Sequence, residues 1–532
     1  MDGTVGVDGG WVRGHVEEGV WAFLGVPYAR APLGPLRWRP PERPESWSGV
    51  RDAAAPGPLA PQGRAAPGAA LPGDPLEQSE DCLHLSIWTP ALDGARRPVM
   101  VWVHGGGFSS GTAGSVLYRG RRLAAEGDVV VVNVNYRLGA LGFLAHPALS
   151  SGAGAWGNWA LLDQIAALRW VRDHIASFGG DASNVTVFGE SAGAMCISAL
   201  LAMPGARGLF GGAVIQSGPP YAHDARRAED AANAFAHELG LPSVSREALE
   251  RVPAAELVSA LSSLSRSLPR PGELPQPLLP VVDGVTLPEP PLDAVARGSA
   301  SGVATMVGTN RDEMTFFALS DPSAEDMAGD ALSHRIERSA PDVPAARIVE
   351  HYRHVLARRG ESCEPRDLWV AVGSDIVFRW PTLRLAAALG AHDPRTFVYL
   401  FTWESPLFGG VLGATHALEI PFVFGTHADP GISRFVADRG DASPDGRARA
   451  AHADALSAAM RASWVAFARS RDPSIPLAGT WPAWDPVRRA TMVLGASALV
   501  EHAPRNEELA VWEAHAPLPV SPLGRAEPVE QT

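Results

Sequence analysis

The chain has 532 residues, 46% of them hydrophobic, enough to bury a large core, and its 58 acidic residues outnumber 45 basic ones for a formal net charge of -13. Every base is an arginine scattered among the acids, which argues against the clustered basic face of a nucleic-acid binder; the absence of lysine excludes a P-loop and the lysine-dependent hydrolases. Cys82, Cys196 and Cys363 form no CxxC pair and are too few for a disulfide framework or a thiolate zinc site.

In chain order, Met1 to Gly14 lacks a basic stretch followed by an apolar one, so no secretory signal is expected and the cytoplasm is the expected location. Apolar runs such as Val129 to Val134 fall far short of the roughly 20 residues that span a bilayer, so no membrane partner is expected. Arg39 to Asp74, crowded with Pro, Ala and Gly, reads as surface loop. Val99 to Val103, Val129 to Val134 and Val185 to Phe188 are near-continuous in β-branched or bulky residues, as strands covered on both faces should be. Between the last two, Leu162, Ile165, Leu168, Val171 and Ile175 recur at helical spacing and predict a helix over Leu161 to Phe178. Strand, helix, strand predicts a parallel sheet, hence an α/β fold. Helical patterns from Ala225 to Leu264 and from Asp321 to Arg359 predict insertions near 225–300 and 320–365 over the sheet's carboxyl edge, where open α/β sheets bind ligands. The whole of 1–516 reads as one catalytic domain, with no solenoid repeat, and 517–532 as a disordered tail.

Residues 189 to 193 read Gly-Glu-Ser-Ala-Gly, directly after the strand Val185 to Phe188 and before a helix-forming run, Ala194 to Leu201. That setting is a nucleophile elbow, a sharp turn that would leave the Ser191 hydroxyl exposed at the strand tip. A chain with 55 glycines can contain Gly-x-Ser-x-Gly by chance. What separates the two cases is whether a base and oxyanion donors exist, because a hydroxyl is inert without them. His104-Gly-Gly-Gly-Phe108, right after Val99 to Val103, supplies the donors: Gly106 and Gly107, with Ala192 from the elbow. A dinucleotide loop started at Gly105 fails because Ser110 stands where the last glycine of G-x-G-x-x-G is required.

The chain resembles the type-B carboxylesterases, the cholinesterase and bacterial p-nitrobenzyl esterase group, over nearly its whole length. The resemblance is carried by Phe23-Leu-Gly-Val-Pro-Tyr-Ala29, Asn135-Tyr-Arg-Leu-Gly139, Gly157-Asn158 through Asp163-Gln164, and Phe178-Gly-Gly-Asp181 running into the elbow. It implies an α/β-hydrolase fold, a large mostly parallel sheet flanked by helices, with helical insertions over a gorge. It also implies the acid and the base: Glu313 at the end of Gly308-Thr-Asn-Arg-Asp-Glu313, and His416 in Thr415-His-Ala-Leu-Glu-Ile-Pro-Phe422. The order Ser, Glu, His is the one this fold uses. Chemically, the neighbouring Asp312 could orient a histidine as well as Glu313; the choice follows the family. Glu190 and Ser217 match positions that support the triad from behind, and Met195, Phe316 and Phe317 match positions lining the acyl or alcohol pocket. Both sets have a purely structural alternative.

Two departures stand out. In Glu80-Asp-Cys-Leu83 the family's secreted members bridge the cysteine to an earlier one, and no cysteine precedes Cys82 here. Pro72 stands where cholinesterases hold the choline ammonium on a tryptophan, so choline esters are not expected. The expected activity is hydrolysis of small-molecule esters through an acyl-enzyme, without metal or organic cofactor, with activity falling on the acid side at about pH 6 to 7 as the histidine base is protonated. Carbamate, amide and thioester hydrolysis share the route and stay open, as does a monomeric or dimeric state; a non-catalytic binding module is disfavoured because Ser191, Glu313 and His416 are all present.

Overall fold

A computed structural model describes residues 3–63, 76–150, 154–267, 276–319, 321–325 and 327–515. In these residues eleven strands share one sheet: β1 (His15–Glu17), β2 (Val20–Pro27), β3 (His84–Thr89), β4 (Arg97–Val103), β5 (Val130–Val134), β6 (Gly180–Glu190), β7 (Gly212–Gln216), β8 (Ala304–Asn310), β9 (Thr396–Phe401), β10 (Ala490–Leu494) and β11 (Ala498–His502). Their spatial order is β11-β10-β9-β8-β7-β6-β4-β5-β3-β2-β1. Strands β4 to β10 run parallel, and β1, β2, β3 and β11 close the two ends antiparallel.

The valine-rich runs behave as their patterning requires. On β4, Val99, Val101 and Val103 enter the core on one face, while Met100 and Trp102 enter the core on the other. β5 repeats this, with Val130, Val132 and Val134 on the first face and Val131 on the second. Period-2 alternation feeding two apolar layers is why these strands show no polar face in the sequence. Truncating the fully buried Trp102 would cost about 3–5 kcal/mol. The predicted helix is α1 (Trp159–His174), continued by a 3-10 turn over Ile175–Phe178 and stopped at Gly179, whose φ of 77° a side chain would resist.

From β4 the chain crosses to β5 on one side and returns through α1 to β6 on the other. The sheet's order therefore reverses between β4 and β6, and an open α/β sheet leaves a crevice at the carboxyl ends of such a pair. The Gly105–Gly107 loop and Ser191 follow those two ends.

The expectation of loop for Arg39 to Asp74 needs one correction. Val50–Asp52 is a short strand, pairing in parallel with Gly10–Arg13 in a separate three-stranded sheet and joined to it by an Arg13–Asp52 ion pair of 2.6 Å. All three of its residues are exposed, so no apolar alternation marked them. Residues 64–75 of that stretch, Pro72 among them, lie outside the described residues, as does the tail 517–532. Helices Ala225–Glu238, Arg246–Glu250, Ala254–Ser267 and Pro291–Ala296 occupy the first predicted insertion, and Gly329–Ser339 and Ala345–Arg358 the second.

Candidate active site

At the end of β6, Ser191 takes φ 53° and ψ -126° and leads directly into α2 (Ala192–Ala202). A non-glycine residue in that region costs about 1–3 kcal/mol and persists only where its surroundings hold it. Here the Ser191 N–H donates to Gln216 O at 2.9 Å on β7, and Ser191 O accepts from Met195 N–H at 2.9 Å. The flanking glycines serve close approach: a Cβ on Gly189 would lie 2.5 Å from Val103 O, and one on Gly193 only 2.0 Å from it. β4 thus packs against both sides of the turn, and the left-handed residue is the serine itself.

Beyond the end of β8, Glu313 is completely buried and faces His416. Its Oε2 lies 2.5 Å from His416 Nδ1, while Oε1 accepts from the Ser217 hydroxyl at 2.5 Å and from Asn310 N–H at 2.7 Å. A proton on Nδ1, held by the carboxylate, leaves Nε2 of the neutral ring as an acceptor. Asp312 is committed elsewhere, accepting from Ala414 N–H at 2.8 Å and pairing with Arg311 at 2.7 Å. The geometry separates the two neighbouring acids that composition could not.

Two further buried carboxylates surround the ring. Glu190 Oε1 stands 3.1 Å from His416 Nε2. Glu419 sits behind, bonded by Asn310 Nδ2 at 2.7 Å and Gln216 Nε2 at 3.1 Å. Burial alone would depress the His416 pKa, but Glu190 and Glu313 outweigh it and hold the imidazole raised, at about 9. Burial pushes Glu190 up to about 8, against the pull of the His416 cation. Glu419 is raised by burial and by the nearby Glu313 charge. Phe316, Phe317 and Phe378 flank the His416 ring, with centroids at 6.1, 5.1 and 5.1 Å.

These groups open onto one cavity of about 1430 Å³ lined by Gly105, Gly106, Gly107, Glu190, Ser191 and His416, with Phe316 and Phe317 on its wall. Leu257, Leu261 and Ser265 of the helix Ala254–Ser267 also line it, so the first insertion reaches the sheet's carboxyl edge. Helices Gly329–Ser339 and Ala345–Arg358 of the second add no lining residue. Ala192 is buried at the start of α2. Met195 departs from expectation: it is 3% exposed in the core and does not line the cavity, because the turn after Ser191 directs this position inward.

Sequence reasoning missed Glu419, Asn310, Gln216 and Phe378. The first two stand inside motifs already quoted, but nothing in their spacing marked them as partners. Phe378 lies on a π-helical segment, Ser374–Arg379, whose register no periodicity announces.

The Carboxylesterase family model matches residues 2–512. A para-nitrobenzyl esterase of Bacillus subtilis (strain 168) is 37% identical over 514 residues, covering 94% of this chain and 96% of its own length. A phenmedipham hydrolase of Pseudarthrobacter oxydans is 35% identical over 492 residues, covering 91% and 94%. Among solved structures, a PNB esterase matches with a TM-score of 0.83 at 35% identity, covering 96% of this chain and 99% of its own. A Geobacillus stearothermophilus carboxylesterase matches with a TM-score of 0.82 at 37% identity, covering 96% and 100%. With the family model spanning nearly the whole chain, and relatives at this identity matched over nine-tenths of both lengths, the chain belongs to the carboxylesterase family, has the α/β-hydrolase fold and is a carboxylic ester hydrolase.

Proposed function

We propose that the enzyme cleaves small-molecule carboxylic esters through an acyl-enzyme on Ser191, with His416 as base and Glu313 as its orienting acid. The observation that carries this is the 2.5 Å contact between His416 Nδ1 and Glu313 Oε2, in the cavity that Ser191 lines. His416 Nε2 takes the proton as Ser191 Oγ bonds to the ester carbonyl carbon. The oxyanion is held by the N–H groups of Gly106, Gly107 and Ala192, and removing one donor should raise the barrier by about 3–4 kcal/mol. Collapse breaks the bond to the alcohol oxygen, which leaves with the proton from His416. Water then repeats the cycle on the acyl-enzyme and releases the acid. The Glu313 side chain holds the ring through Nδ1 and stabilises the imidazolium that forms.

A cavity of this size admits an aromatic alcohol, so p-nitrobenzyl esters, named for one relative, belong in the first substrate panel. Ser191→Ala should lower kcat on p-nitrophenyl acetate by about 10⁴-fold or more. Retention of most activity would remove the assignment.

A further inference from the structure

A trans peptide is planar, with its C=O and the following N–H pointing in opposite directions. The aim of each proposed oxyanion donor is therefore set by whatever holds the carbonyl before it. Ser191 O, in the peptide that carries Ala192 N–H, accepts from Met195 N–H inside α2. Gly105 O, paired with Gly106 N–H, lies 2.8 Å from His104 Nδ1. Burial pushes His104 down to about 4, so the ring is neutral, and the contact needs its proton on Nδ1. Gly106 O, paired with Gly107 N–H, accepts from Ser109 N–H at 3.1 Å, Ser110 N–H at 3.0 Å and the Ser110 hydroxyl at 3.0 Å.

Unlike α2, the glycine loop has no helix to hold it. It is closed by Gly111 folding back on its start: at φ 115°, a Cβ there would lie 2.3 Å from His104 Nδ1 and 2.7 Å from Gly105 O. That return is held from outside by the side chain of Gln62. Gly111 N–H donates to Gln62 Oε1 at 2.9 Å, and Gln62 Nε2 donates to Gly111 O at 3.0 Å and to Ala60 O at 3.0 Å. Gln78 Oε1 accepts the Gln62 backbone N–H at 3.1 Å and steadies the clamp from behind. A carboxamide matches both polar groups of Gly111 at once; the opposite amide orientation would face donor to donor and acceptor to two acceptors.

We infer that Gln62 is a positioning residue of the oxyanion hole: its carboxamide closes the loop His104 to Gly111, and with the Ser110 hydroxyl it fixes the aim of the Gly106 and Gly107 N–H groups. The inference rests on the oxyanion assignment of the proposed function. Gln62→Ala should lower kcat by about tenfold or more with KM changed less than about twofold, because the loss falls where the oxyanion develops. Affinity for a trifluoromethyl ketone, whose tetrahedral adduct carries that oxyanion, should fall by the same factor. The pH profile and thermal midpoint should hold. Gln62→Glu, whose carboxylate cannot donate to Gly111 O, should not rescue.

Ser110→Ala should show the same signature at smaller size, about threefold, and the double variant should lose less than the product of the two. A rise in KM at unchanged kcat, an undiminished ketone affinity, or a kcat loss that tracks thermal stability would overturn the role. If Gln62→Ala does not fold, Ser110→Ala reads the same split and decides the matter. Failure of the underlying mechanism is distinct, since it appears as activity retained in Ser191→Ala whatever Gln62 does.

Discussion

His416 Nε2 lies 3.1 Å from Glu190 Oε1, so the nitrogen proposed to accept the Ser191 proton also faces a buried carboxylate. Protonating Nε2 bridges His416 between two acids, Glu313 and Glu190, and both stabilise the cation. The two groups titrate as a pair. A base whose pKa is raised becomes available only at higher pH, so kcat/KM should climb through an apparent pKa above the ordinary histidine value of about 6.5, toward 9. That moves the acid limb above the pH 6 to 7 expected from a histidine in isolation. Glu190→Gln should shift it down by about 1 to 3 units. A limb unmoved by Glu190→Gln would show that this contact does not govern the titration.

Glu313 and Asp312 offer a test within one dipeptide. Glu313→Gln keeps the shape but loses the charge and lets the wrong tautomer form, so kcat should drop by about 10⁴. Asp312→Asn disturbs only the Ala414 and Arg311 contacts and should leave kcat within about tenfold. Equal losses in the two variants would contradict the assignment.

Ser217→Ala removes one of the two hydrogen bonds on Glu313 Oε1 and leaves the Asn310 N–H in place. A hydrogen bond to a charged group is worth about 1.5–3 kcal/mol. A loss of kcat between about tenfold and a hundredfold is expected, with KM little changed; a change in KM alone would place Ser217 in substrate binding instead.

Away from the chemistry, Arg137 and Asp163 form a fully buried pair, with contacts of 2.6 and 2.8 Å, that links the chain after β5 to α1. Asp163→Ala would strand the guanidinium and should destabilise the fold by about 3–5 kcal/mol, measured by urea unfolding. A cost under about 1 kcal/mol would mean water reaches the arginine.

Ser191 was legible because its signal is local: apolar strand, two glycines and a helix-forming run lie within a few residues, and the glycine loop after β4 repeats the logic. The two core faces were legible as valine runs for the same reason. His416 and Glu313 are 103 residues apart in sequence, and their contact exists only through the β8 edge, so resemblance alone could place them. Met195 was misplaced because one residue of rotation at the start of α2 decides between cavity and core. Gln62 carried no signal at all, since its partner is a backbone peptide 49 residues away. Val50–Asp52 was missed because an exposed edge strand needs no apolar alternation.

The most direct measurement of the central claim is covalent labelling with a fluorophosphonate, read by intact mass and peptide mapping. One adduct per chain on Ser191, absent in Ser191→Ala and slowed in His416→Ala, is the result the mechanism requires. A hydrolytically active enzyme that takes no label at Ser191, or takes it on another residue, would contradict it.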